Sequence, residues 1–135
     1  MAIQKSTSVR NSELDAIFTA IGASGILKFR SGAAPAACAT ADSGTVLATL
    51  NLPATYMAAA ASGSKAKTGT WEDASADASG TGGHWRLYAS DGTTCHMQGT
   101  LTASGGGGDI ELSTLTFVAT QPVTVTSFTL TAGGA

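Results

Sequence analysis

Apolar residues at Leu14, Ile17, Phe18 and Ile21 return every three or four positions, a spacing that predicts one amphipathic helix. Ser12 stands ahead of the run with Asp15 three residues later, a short form of the capping box. Glu13 and Asp15 suit the positive end of the helix dipole and Gly22 is a natural stop, so the helix is expected over residues 12–22. From Ile26 the period changes to two. Leu27 and Phe29 then fall on one face of a strand, with Ile26, Lys28 and Arg30 on the other, and a turn at Ser31-Gly32 ends it.

Residues 33–44 contain Pro35 and the turn-forming run Asp42-Ser43-Gly44 and are expected to be loop. Strands are expected over residues 45–52, closed by Pro53, and over residues 65–71. Between them, the Ala-rich stretch 54–64 is read as a short turn near Tyr56 and a loop, because Gly63 and the flanking serines weaken a helix. Residues 72–82, with Asp73, Asp77, Gly80 and Gly82, again read as loop. The strongest local signal is a hairpin, in which residues 83–90 and 93–101 flank Asp91-Gly92, a pair suited to both centres of a type I′ turn. Such a turn sets Tyr88 opposite Cys95 and Arg86 opposite Met97 on one face, and Leu87 opposite His96 and Trp85 opposite Gln98 on the other, unless a bulge shifts the register. Both faces are then mixed in polarity, as expected of a sheet with the core on one side and a partner chain on the other. Further strands are expected over residues 109–117, after the run Gly105 to Gly108, and over residues 123–130, after Pro122.

Six or seven short strands and one short N-terminal helix predict a mainly β protein, an antiparallel β-sandwich or jelly roll. Residues 1–10 are expected to form an N-terminal arm and residues 11–135 a single sandwich domain.

Composition changes this picture in one respect. Of the 135 residues, roughly 56% are Gly, Ala, Ser or Thr, so the 43% hydrophobic content is inflated by alanine and large apolar groups are few. The core is expected to be thin, with part of the stability supplied by neighbouring chains. Seven basic against nine acidic residues give a net charge of −2, which argues against nucleic acid as a partner. The longest Ala-rich apolar stretch, Met57 to Ala61, is far short of the roughly 20 residues of a membrane span. Met1 to Arg10 is polar and is followed by Asn11, Ser12, Glu13 and Asp15 rather than an apolar signal segment, so a protein made and kept in the cytoplasm, or released only by lysis, is expected.

Candidate chemistry is sparse. Cys38 and Cys95 are 57 positions apart and match no metal-binding spacing, and they read as free thiols packed as small apolar groups. His84 and His96 fall on opposite faces of the expected hairpin, which favours sheet-packed or edge histidines over a metal pair. Glu72, Asp73 and Asp77 read as a solvated acidic loop, since the terminal bidentate Glu of a calcium loop is missing. The glycine run lacks the Lys and Ser/Thr of a phosphate-binding loop and is followed by Asp109, so it reads as a flexible connector. The aromatic residues have core-like spacing, with Trp71 the one most suspected of exposure. No catalytic set, metal or cofactor is expected.

Several segments resemble small virion proteins of tailed bacteriophages: Val9 to Ile17 (VRNSELDAI), Ile26 to Pro35 (ILKFRSGAAP), Ala41 to Leu47 (ADSGTVL), Gly80 to Arg86 (GTGGHWR), Ser90 to Thr94 (SDGTT) and Val123 to Phe128 (VTVTSF). The resemblance spans most of the chain and implies a structural role rather than catalysis: a capsid decoration, or cement, protein. Such a protein is a small β-sandwich, often a trimer, that sits on the head surface, binds the major capsid protein and clamps adjacent capsomers. A tail or fibre subunit has a similar composition and is the alternative, with a carbohydrate-binding module built on Trp71 and Trp85 a more distant one. Partner contacts are expected at Lys5, Arg10, Arg86, His96 and Met97. The arm through Arg10 has a reach of up to roughly 33 Å if extended.

Overall fold

Ser6, not Ser12, opens the helix. In a computed structural model that describes residues 2–135, α1 spans Thr7–Ile21, and the Ser6 side chain accepts a hydrogen bond from the Val9 N–H at 3.2 Å. Gly22 ends the helix as expected, its N–H bonding to the Phe18 carbonyl. The early start shortens the expected arm, because Thr7 to Arg10 are already helical. Leu14, Phe18 and Ile21 form the buried stripe.

The rest is mainly β. The strands are β1 (Ile26–Ser31), β2 (Val46–Asn51), β3 (Ser64–Ala66), β4 (Trp71–Asp73), β5 (Gly80–Tyr88), β6 (Cys95–Ala103), β7 (Ile110–Leu112), β8 (Thr116–Phe117), β9 (Val123–Val125) and β10 (Thr129–Thr131). The main sheet has six strands in the order β2-β1-β5-β6-β7, with β8 added to β5. All its pairings are antiparallel except β6 with β7, which is parallel and departs from the purely antiparallel expectation. The turn between β6 and β7 holds the glycine run, whose Gly105 and Gly107 N–H groups donate to the Glu111 carboxylate.

Two expected strands are each divided. The 65–71 segment breaks into β3 and the start of β4, and the 123–130 segment into β9 and β10. They are two parts of one interrupted ladder: β3 pairs with β10, β4 pairs with β9, and the Lys67 N–H bonds to the Phe128 carbonyl at the break. There Phe128 turns inward, 5.6 Å from Trp71 and 5.8 Å from Trp85 between ring centres. The expected 109–117 strand is likewise divided, into β7 and β8.

The hairpin of β5 and β6 exists, but its loop runs from Ala89 to Thr94 instead of turning on two residues. The Ala89 N–H bonds to the Thr94 carbonyl, and the Asp91 carboxylate accepts from the Thr93 and Thr94 N–H groups. Only Gly92 has positive φ, so the turn is not type I′. Tyr88 pairs with Cys95 as expected, but a bulge at His96 advances the rest, so that Leu87 pairs with Met97, Arg86 with Gln98 and Trp85 with Gly99.

Scarcity of large apolar groups is met by concentration. All eight aromatic residues are buried. Phe18, Tyr56, Trp71, Phe128 and Trp85 form a continuous series of ring contacts from the helix to the main sheet. Trp71 is 1% exposed, which overturns its expected exposure. Both indole N–H groups are satisfied internally, by the Tyr56 and Thr100 carbonyls.

Candidate functional site

The strand period divides the main sheet into two unlike faces. Leu27, Phe29, Trp85 and Leu87 enter the aromatic core. Between them, β1 and β5 turn Lys28, Arg30, His84, Arg86 and Tyr88 to the opposite face, where burial of Arg30, His84, Arg86 and Tyr88 is nearly complete. Residues 32–44 cover this face as a strap. Its neck is closed by a two-way tie, in which the Ser31 N–H bonds to the Thr45 carbonyl and the Thr45 N–H to the Ser31 hydroxyl. Gly44, at φ 70°, is required there, since a Cβ would lie 2.0 Å from the Ser31 carbonyl oxygen.

Asp42 is the strap's polar anchor. Its Oδ2 accepts from Arg30 at 2.8 Å, and its Oδ1 accepts from the Tyr88 hydroxyl at 2.7 Å and from Arg86. The second terminal nitrogen of Arg86 donates to the carbonyls of Ala37, Cys38 and Thr40, and the Gln98 amide donates to the Pro35 carbonyl. Partial burial would raise the Asp42 pKa, but the bonds from Tyr88 and Arg86 and the charges of both arginines outweigh it and hold the carboxyl below its usual value. Burial, then the Asp42 hydrogen bond, push the Tyr88 hydroxyl up to about 12. His84 contacts the Gly32 carbonyl through Nδ1 at 2.9 Å, at the strap's first turn.

This arrangement corrects the reading of Arg86. At 1% exposure its guanidinium is committed to the strap and has no surface to offer a neighbour. Arg10 also turns inward, packing over Gly63, where an added Cβ would come within 2.2 Å of its Nη1. Lys5 pairs with Glu13 at 2.9 Å while its own N–H bonds to the Gly134 carbonyl, so the two ends of the described chain are tied together. Of the expected interface residues, His96 is exposed at the bulge and Met97 is half-buried against the core. The structure does not bring these five residues together. It exposes apolar Ile3 and Val9, at 85% and 48%, close to the tied ends.

The acidic loop is structural rather than merely solvated. Asp73 accepts the Thr49 N–H from edge strand β2, and Asp77 accepts the Thr49 hydroxyl. Among the described residues no three His, Cys, Asp or Glu side chains stand together as a metal site, and no helix is long and apolar enough to cross a membrane. A shallow groove of about 500 Å³ lies between α1 and the 54–59 segment, bordered by Phe18, Tyr56 and the Asp15–Lys65 ion pair. In the sequence Asp42 reads as an ordinary turn residue. Its one signal was its position in a long loop facing strands that carry alternating Arg, His and Tyr. Comparison of the chain with protein-family models, curated proteins and solved structures gives no match.

Proposed function

We propose that the chain is a structural protein of a tailed-bacteriophage virion: a β-sandwich decoration protein, made in the host cytoplasm, that lies on the head surface and binds the major capsid protein. In this reading it is a homo-oligomer, with a trimer favoured, that clamps adjacent capsomers. The observation that supports it is how the side chains are spent. Every aromatic ring and the charged groups of Arg30, Lys65 and Arg86 are turned inward, which leaves a surface rich in small residues with Ile3, Val9 and Val118 as its exposed large apolar groups, the first two beside the tied ends. Such a surface lets a neighbour's backbone approach closely, and weak contacts repeated over a lattice sum to firm attachment. Trp71 and Trp85 are 1% and 2% exposed and provide no aromatic platform for a sugar.

The test is co-sedimentation with heads and with tails purified from particles lacking the protein. Saturable binding of the wild type to heads, reduced roughly tenfold or more in the double variant Ile3→Asp, Val9→Asp, is the expected result. Binding to tails alone replaces the head reading with the tail-subunit alternative. Binding to neither overturns the virion reading.

A further inference from the structure

The thiols of Cys38 and Cys95, 57 positions apart in the chain, lie 3.0 Å from each other, and their meeting is set by contacts that involve neither sulfur. Cys38 belongs to the strap, and its carbonyl accepts from Arg86 at 2.8 Å, inside a turn closed by the Thr40 N–H and the Ala37 carbonyl. Cys95 is the first residue of β6, held opposite Tyr88 across the sheet. Asp42, which bonds to both Arg86 and Tyr88, fixes the two supports relative to one another. Two half-buried cysteines are thereby presented to each other on the covered face of the sheet. An S–S bond of about 2.05 Å requires the sulfurs to approach by only about 1 Å.

We propose that Cys38 and Cys95 are a disulfide-forming pair, reduced in a thiol-rich compartment and joined on transfer to oxidising surroundings, where the bond staples the strap across the polar face of the sheet. A low-molecular-weight disulfide such as oxidised glutathione is a sufficient oxidant. One cysteine thiolate attacks it and expels one glutathione thiolate, leaving a mixed disulfide. The second cysteine thiolate then attacks the protein sulfur of that bond and expels the other glutathione. One S–S bond is broken and one is formed, the two cysteines are oxidised, and two glutathione thiols carry away the electrons and, at neutral pH, the protons. Burial, then the adjoining Cys38 sulfur, push the Cys95 thiol up to about 11, so the exchange runs faster in alkaline buffer. The staple closes a long loop and restricts the unfolded chain, and it holds down a segment otherwise retained by hydrogen bonds and one carboxylate.

The experiment incubates the reduced full-length protein with oxidised glutathione in mildly alkaline buffer. It then counts thiols in denaturant, maps the bond by peptide mass, and compares thermal midpoints. The wild type is expected to lose both thiols as a monomer, to retain no glutathione, and to gain roughly 5–15 °C in midpoint that dithiothreitol reverses. Cys38→Ala and Cys95→Ala are each expected to keep one thiol or one glutathione adduct and to show no such gain. Two thiols or a lasting glutathione adduct in the wild type overturns the proposal, as does a disulfide that leaves the midpoint unraised.

Discussion

The two faces of the main sheet are built from the same strands and stabilised by different physics. On the core face, Leu27, Phe29, Trp85 and Leu87 lose water to one another and to Phe117 and Phe128, with no direction required beyond good packing. On the strap face, Arg30, His84, Arg86 and Tyr88 are as deeply buried, yet each needs a specific acceptor that a 13-residue loop of mostly small residues must deliver. The first face depends on close fit: a Cβ added at Gly99 would lie 2.6 Å from the Trp85 ring. The second depends on one carboxylate and a few carbonyls being in place. A chain poor in large apolar residues can thus bury both sides of a sheet by spending its aromatics on one side and ordered loop backbone on the other.

The largest expected effect separates the faces. Trp85→Ala removes the ring that joins β5 to Phe128 and should cost about 3–5 kcal/mol in denaturant unfolding, with the strap disordered only as the whole domain unfolds. Gly83→Ala acts on the other side. An added Cβ would lie 2.0 Å from the Gly32 carbonyl oxygen, so the strap's first turn must move and the His84 contact with it. A loss of about 1–3 kcal/mol is expected, with faster proteolysis within residues 33–44 while tryptophan fluorescence stays native.

The smallest effect is a pH dependence. Because the Asp42 carboxyl has a lower pKa folded than unfolded, its contribution is complete above the unfolded value of about 3.9 and is lost as pH falls through the folded value. The thermal midpoint of the wild type should therefore fall more steeply below about pH 4 than that of Asp42→Asn, and the two profiles should run parallel above about pH 5. Identical acid limbs would remove Asp42 from the account.

The same contrast explains what the sequence reveals. Alternation placed Leu27 and Phe29 on one side of β1 because burial of the core face is written into a local period, and the Pro and Gly signals of residues 33–44 marked a loop correctly. The partner of Arg86 is not local. An arginine alternating along a strand reads as surface, and nothing near it in the chain announces that residues 37–42 lie over it. The bulge at His96, the inward turn of Phe128 and the meeting of Cys38 with Cys95 are hidden for the same reason: each is decided by segments distant in sequence. The helix start is hidden for a local reason, because Ser12 with Asp15 looks like a better cap than Ser6 with Val9, although the chain uses the latter.

The central claim, that the strap is held to the polar face by a cooperative Asp42–Arg86 contact, is most directly tested by a double-mutant cycle. Asp42→Asn, Arg86→Met and the pair are compared by denaturant unfolding, each protein kept fully reduced. A coupling of about 1–3 kcal/mol is predicted, with each single variant opening residues 33–44 to protease. Additivity within about 0.5 kcal/mol, with the strap as protected as in the wild type, would contradict it.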